Sequence, residues 1–278
     1  MRYRHDPRSD AMKNGTFLPV TGALSLLASI AFTGCTDSPE PPAIDLLEVS
    51  HFEAMPHRLK ESRSVSTAKA DVFALNDGVL HINGTGWGYI ETPEVYDNFR
   101  LVVEYRWGEN THGNRKEKSR DAGVFIHAHD RYGDWPKGAE VQLIEGGSGN
   151  VNVLDGKTEV TVTGKFRSLN DTPSAGQFDP SIEETSSLKG KVVKAYCQYR
   201  SAEWADQKGF RGTDDVELPV GEWNRLEIVS SNGSLAVQLN GKLVNQIEQL
   251  PFQSGAIALQ SEEAEWFIRK LDLTPLEK

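Results

Sequence analysis

The chain has only two cysteines, Cys35 and Cys197, among 278 residues, so neither a disulfide framework nor a cysteine-built metal cluster can hold it together. It is also short of cations: 30 Lys and Arg stand against 40 Asp and Glu, a formal charge of −10. That shortage argues against a nucleic-acid partner, because phosphates are bound by lysine and arginine. No apolar run reaches the roughly 20 residues of a confident membrane span. No Ser-His-Asp motif or phosphate-binding glycine loop is present, which removes the familiar nucleophilic and nucleotide-dependent chemistries. After the first 35 residues there is no convincing amphipathic helix of ordinary length, and this absence points towards strands.

What is present begins with a targeting segment. Phe17 to Phe32 is mostly apolar and ends in Phe32-Thr33-Gly34-Cys35. The pattern resembles a bacterial lipoprotein signal, with Cys35 as the lipidation site. A conventional signal peptide cut nearby is the other reading. Met12-Lys13 offers a tighter start than Met1. Residues 1–35 are therefore expected to be signal and lipobox, 36–45 (TDSPEPPAID) a flexible tether, and 46–278 the folded domain. The first 34 residues carry Arg2, Arg4, Arg8 and Lys13 against Asp6 and Asp10, a net +2, so the remainder carries −12. The expected location is the periplasm or outer membrane, with membrane contact through the lipid alone. With Cys35 acylated, Cys197 has no partner and reads as a buried core thiol.

The domain reads as many short strands. Asn76-Asp77-Gly78 precedes an alternating strand, and Asn83-Gly84, Asn232-Gly233 and Asn240-Gly241 are hairpin signals. From Phe99 to Trp107 one face holds Phe99, Leu101, Val103, Tyr105 and Trp107, and the other Arg100, Val102, Glu104 and Arg106. Residues 108–120 read as a solvated loop. Asn152 to Leu154 and Val160 to Val162 suggest a further hairpin, and 170–187 a long loop or insertion. Leu226 to Ile247 reads as a meander, with two more strands over Gly255 to Gln260 and Trp266 to Leu273.

One stretch differs in kind. In DAGVFIHAHDRYGDWPKGAEVQLIE, Asp121 to Glu145, strict alternation puts Val124, Ile126 and Ala128 on one face and Phe125, His127 and His129 on the other. In the second run Val141 and Leu143 alternate with Glu140 and Gln142. Polar residues inside a run that is otherwise core need partners, and a ligand is one such partner.

The ordered set Gly78 to Leu80, Gly86 to Ile90 (GWGYI), Tyr96 to Tyr105, Ala122 to Ile126 (AGVFI), Glu140 to Ile144 (EVQLI), Pro219 to Asn224 (PVGEWN), Leu239 to Gly241 and Gly255 to Ser261 (GAIALQS) resembles the 3-keto-disaccharide hydrolase domain family, from about residue 50 to 275. The resemblance implies an all-β, concanavalin-like jelly-roll sandwich of two antiparallel sheets. It also implies export and cleavage of glycosides already oxidised to a ketone at carbon 3. Arg120-Asp121-Ala122 and His127-Ala128-His129 depart from the family's usual residues.

A 3-keto group acidifies the proton on carbon 2. A base can remove that proton, the glycosidic oxygen leaves from carbon 1, and water adds to the enone. His127, His129 and Glu140 are of the right types for base and acid. The same three are alternatively a divalent-metal set, and the histidines alternatively hydrogen-bond sugar or loop backbone. Gln142, Glu104, Arg106, Asp121, Trp135, Lys194 and Tyr196 are expected to bind a carbohydrate substrate. Trp87, Tyr89 and Trp204 are further rings that could stack on sugar, while Arg211 with Asp214, Asp215 and Glu217 reads as a local ion-pair network. Two other functions fit a β sandwich: a noncatalytic lectin-like module, and a conventional glycoside hydrolase, for which Glu140 and Glu145 face opposite ways.

Overall fold

The computed structural model describes residues 41–47, 72–132, 135–169 and 172–277, all within one compact unit, Glu40–Lys278. The lipobox cysteine Cys35, the signal and most of the tether lie outside the described residues. Regular structure is almost entirely strand. In chain order come β1 (Ile44–Asp45), β2 (Phe73–Asn76), β3 (Val79–Ile82), β4 (Trp87–Glu91), β5 (Phe99–Thr111) and β6 (Asp121–Tyr132). They are followed by β7 (Trp135–Ile144), β8 (Asn150–Leu154), β9 (Val160–Gly164), β10 (Phe166–Ser168), β11 (Ala175–Phe178) and β12 (Ser186–Gly190). The last six are β13 (Val192–Tyr196), β14 (Asn224–Ser231), β15 (Ser234–Leu239), β16 (Lys242–Ile247), β17 (Ala256–Glu262) and β18 (Ala264–Pro275).

These strands build a jelly-roll sandwich. The back sheet has the order β16-β15-β14-β5-β18-β3-β2, with β1 added on β18; the front sheet has the order β10-β11-β13-β8-β7-β6-β17-β4. Pairing is antiparallel except between β11 and β13, and β9 with β12 forms a small third sheet. Alternation decides what lies between the sheets. From the back come Phe99, Leu101, Val103, Tyr105 and Trp107 of β5. From the front come Ala122, Val124 and Ile126 of β6, Ala139, Val141 and Leu143 of β7, and Val151 and Val153 of β8. All belong to one buried cluster. Each fully buried aliphatic or aromatic side chain contributes about 1.5–3 kcal/mol. Cys197 is a free, buried member of that core, and burial pushes its thiol up to about 12.

Several turns follow the reading of the sequence. Asp77-Gly78, Asn232-Gly233 and Asn240-Gly241 all have positive φ at both residues and close two-residue hairpins. Asn83-Gly84 does not make the expected hairpin. β3 lies in the back sheet and β4 in the front, so this turn is the crossing between layers. Gly84 has φ +76°, and a Cβ there would meet the Ala264 backbone at 2.5 Å. The hairpin expected between residues 152 and 162 is also absent, because β8 pairs with β7 and β13 whereas β9 leaves for the third sheet. Residues 170–187 are not all loop, since they contain β11 and the start of β12. The tether ends two residues early, because Ile44 and Asp45 pair with Leu273 and Asp272.

Candidate active site on the outer face of the front sheet

The residues that alternate with the core form the outer face of the front sheet. Cα partners run straight across it from Phe125 to Glu140, from Glu140 to Asn152 and from Asn152 to Lys194. A parallel row runs from Gly123 to Gln142 to Asn150. β17 adds Gln260 and Glu262 on the other side of β6. Gly123 leaves the space that Glu140 fills: a Cβ there would lie 2.6 Å from Glu140 Oε1 and 3.1 Å from Gln260 Oε1.

A hydrogen-bonded carboxylate cluster results. Asn152 Nδ2 donates to Glu140 Oε2 at 2.9 Å, and Gln142 Nε2 donates to Asp121 Oδ1 at 2.9 Å. Asn150 Nδ2 supports Gln142 Oε1 at 3.2 Å, and Gln260 Nε2 donates to Glu262 Oε2 at 3.0 Å. The one cation set among them is Arg115. Its guanidinium bridges Asp121 and Glu262, the latter at 3.0 Å, and reaches Asp206 at 3.1 Å.

Asp121 and Glu262 share this cation out of water, and Glu140 has only the weaker charge of Lys194, so protons are held tightly. Burial pushes Glu140 up to about 8, aided by the negative charge of Glu262 and opposed by the Asn152 hydrogen bond. Asp121 is raised well above the usual carboxylate range, first by burial and then by the charge of Glu262. Glu262 is raised as well, again mainly by burial. A group titrating near neutral pH can both take and return a proton. Among the described residues Asn152 Oδ1 and Gln260 Oε1 are buried acceptors with no partner, which suits them to ligand hydroxyls.

Four of the sequence-predicted site residues meet here: Asp121, Glu140, Gln142 and Lys194. Tyr196 shares the face two residues along β13. Trp135 stacks on Trp87 with ring centroids 5.5 Å apart. The histidines do not join them. Strict alternation fails because bulges shift the β6–β7 register between Ile126 and His129 and again before Arg131, and His127 takes φ +52°. Its ring therefore points between the sheets, where Nε2 lies 2.8 Å from Ser230 Oγ of β14 and burial pushes the imidazole down to about 4. His129 folds back on the chain, with Nδ1 2.9 Å from the His127 carbonyl and its ring 4.6 Å from Phe252. The expected metal set of His127, His129 and Glu140 is not assembled, and the described residues hold no other group of three placed for a metal.

Glu104 and Arg106 do not join the site either. They lie on the outer face of the back sheet, where Arg225 and Arg269 pair with Glu104, and Arg106 lies over the rings of Trp223 and Phe267. The Arg211 network forms in part: Arg211 pairs with Asp215 at 2.9 Å and with Glu217 at 3.6 Å, whereas Asp214 makes no ion pair with it. Sequence reasoning missed Arg115, Gly123, Asn150, Asn152, Gln260 and Glu262. Arg115 belonged to the segment read as a solvated loop, and nothing local marks it. Gln260 and Glu262 do alternate with core residues along β17, a signal that was available.

No curated protein sequence matches the chain. Among solved structures it is similar to a candidate glycosyl hydrolase from Parabacteroides distasonis ATCC 8503, at 18% identity and a TM-score of 0.48, covering 85% of this chain and 100% of that one. It is similar to the carbohydrate binding module CBM66 from Bacillus subtilis at 10% identity and a TM-score of 0.41, covering 73% and 90%. The likeness to the Bacillus licheniformis β-glucanase is 8% identity and a TM-score of 0.41, covering 81% and 96%. These are likenesses only. The model of the 3-keto-alpha-glucoside-1,2-lyase-like domain matches residues 56–274, most of the chain, and the protein therefore belongs to that family.

Proposed function

We propose that the protein cleaves 3-keto-glycosides by elimination followed by hydration, with Glu140 as the group that moves the proton of carbon 2. The observation that carries this reading is a single one: Glu140 is buried on the outer face of the front sheet and fixed there by Asn152, a setting that pushes its carboxyl up to about 8. Ionised Glu140 takes the proton from carbon 2, the bond from carbon 1 to the glycosidic oxygen breaks, and a carbon–carbon double bond forms. The departing oxygen takes a proton from the Asp121–Glu262 pair, whose protons burial retains. Water then adds to carbon 1, returning its proton to that pair, while Glu140 returns its own to carbon 2. The sum is hydrolysis.

The test mixes the purified chain with a 3-keto-glucoside and with its unoxidised counterpart, with and without a chelator. Aglycone release from the keto form alone is expected; release from neither, or equal release from both, contradicts the reading. Export with Cys35 acylated belongs to the same proposal and rests on the sequence, and the mass of the mature N-terminus checks it.

A further inference from the structure

Next to the carboxylate cluster, and on the same face, lies a cleft of about 590 Å³ whose walls include Gln177, Val192, Lys194, Tyr196, Arg200 and Ser201. Its character is the reverse of the cluster's. Among the described residues neither Lys194 nor Arg200 takes part in an ion pair, whereas Arg100, Arg115, Arg120, Arg167, Arg211, Arg225 and Arg269 all do. Arg106, which also lacks a carboxylate, stacks on the outer back face. In a chain of net charge −10, two cations on one cleft with no ion-pair partner among the described residues need a local reason.

Arg200 is also held in place. Its guanidinium lies between two rings, 4.4 Å from the centroid of Tyr196 and 4.2 Å from that of Trp204. Its stem runs over Gly147, where a Cβ would come within 3.3 Å of Arg200 Cδ. The turn that carries it is pinned by Gln177 Nε2, which donates to the carbonyls of Cys197 at 3.1 Å and Arg200 at 2.8 Å. Its Nε is buried and has no partner among the described residues. A guanidinium sandwiched by rings keeps its N–H edge free, and that fork matches a planar oxyanion.

We propose that this cleft binds an oxyanion, a carboxylate or a sulfate ester, carried by the glycoside on the part remote from the oxidised ring. Lys194 and Arg200 would be the specificity-determining pair. The proposal rests on the glycoside reading above. Lys194 is two strand spacings from Glu140 along one row of partners, or roughly 10 Å, so a two-unit glycoside can reach both.

The experiment is calorimetric titration of the full chain with three unoxidised disaccharides, which undergo no turnover. One is neutral, one carries glucuronate in place of glucose, and one carries a sulfate ester. The expected result is that one anionic sugar binds about tenfold or more tightly than the neutral one, with an advantage that shrinks as salt is added; whichever anion leads names the source. Lys194→Met and Arg200→Lys should each reduce that ratio, and Lys194 is exposed, so its variant should melt with the parent. Equal affinities for all three sugars, or an advantage untouched by both substitutions, would overturn the proposal. Turnover of a neutral 3-keto-glucoside without any anion preference removes this inference alone; anion preference without such turnover supports the cleft and removes the catalytic reading.

Discussion

The two outer faces of the sandwich are built from the same residue types and treat charge in opposite ways. On the back sheet Glu104 takes Arg225 at 3.3 Å and Arg269 at 2.8 Å, Glu227 takes Arg100 at 2.9 Å, and Lys270 reaches Asp272 at 2.6 Å. Burial pushes Glu104 up, but Arg269, Arg225 and Lys270 more than offset it and leave that carboxyl below its usual range. On the front sheet Asp121 and Glu262 share Arg115, Glu140 has only the weaker charge of Lys194, and burial wins. A carboxylate on a strand face thus becomes either a solvated surface group or a proton carrier. The number of cations per acid and the access of water decide which.

The same substitution on each face is the strongest way to break that comparison. Glu140→Gln keeps the shape and removes the proton carrier, so turnover of a 3-keto-glucoside should fall by about 10²–10⁴-fold, whereas Glu104→Gln should leave the rate unchanged. Arg115→Met comes next. It leaves Asp121 and Glu262 buried without a cation, at a cost of about 3–5 kcal/mol in denaturant unfolding at neutral pH, and the loss should narrow in acid as those carboxyls take up protons.

The pH dependence of stability is smaller and sharper. Glu140 binds its proton more tightly folded, at about 8, than unfolded, near 4.5. Its effect on stability is therefore absent at low pH, grows unfavourable as pH rises from about 4.5 to about 8, and is level beyond. At about 1.4 kcal/mol per pH unit as an upper limit, Glu140→Gln should unfold up to a few kcal/mol harder than the parent at pH 8 and equally at pH 4. The smallest effect belongs to the back face: Glu104→Ala should cost no more than about 1 kcal/mol, and less in high salt.

The architecture was legible because it rests on period. The alternation of Phe99, Leu101, Val103, Tyr105 and Trp107 is the inner face of β5, and the Asn-Gly turns from Asn232 onward close the meander as read. Of the site, alternation within β6 and β7 correctly places Asp121, Glu140 and Gln142 together. It fails directly after Ile126, because a bulge cannot be seen in a count by twos and shifts the register of the residues beyond it. That is why His127, which strict alternation places beside Glu140, bonds Ser230 instead. Alternation also leaves open which of two outer faces meets a ligand, so Glu104 and Lys194 were indistinguishable. Arg115 was out of reach for a different reason: its partners Asp121, Asp206 and Glu262 lie up to 147 residues away in the chain, and no local pattern encodes such a contact.

The measurement that bears most directly on the account is a carboxyl carbon-13 NMR titration of the full chain, assigned through Glu140→Gln and Glu104→Gln. The Glu140 signal is expected to titrate near 8, the value its burial sets, and the Glu104 signal below 4.5. If both moved together near the ordinary glutamate value, the front face would hold no proton carrier and the distinction between the two faces would be contradicted.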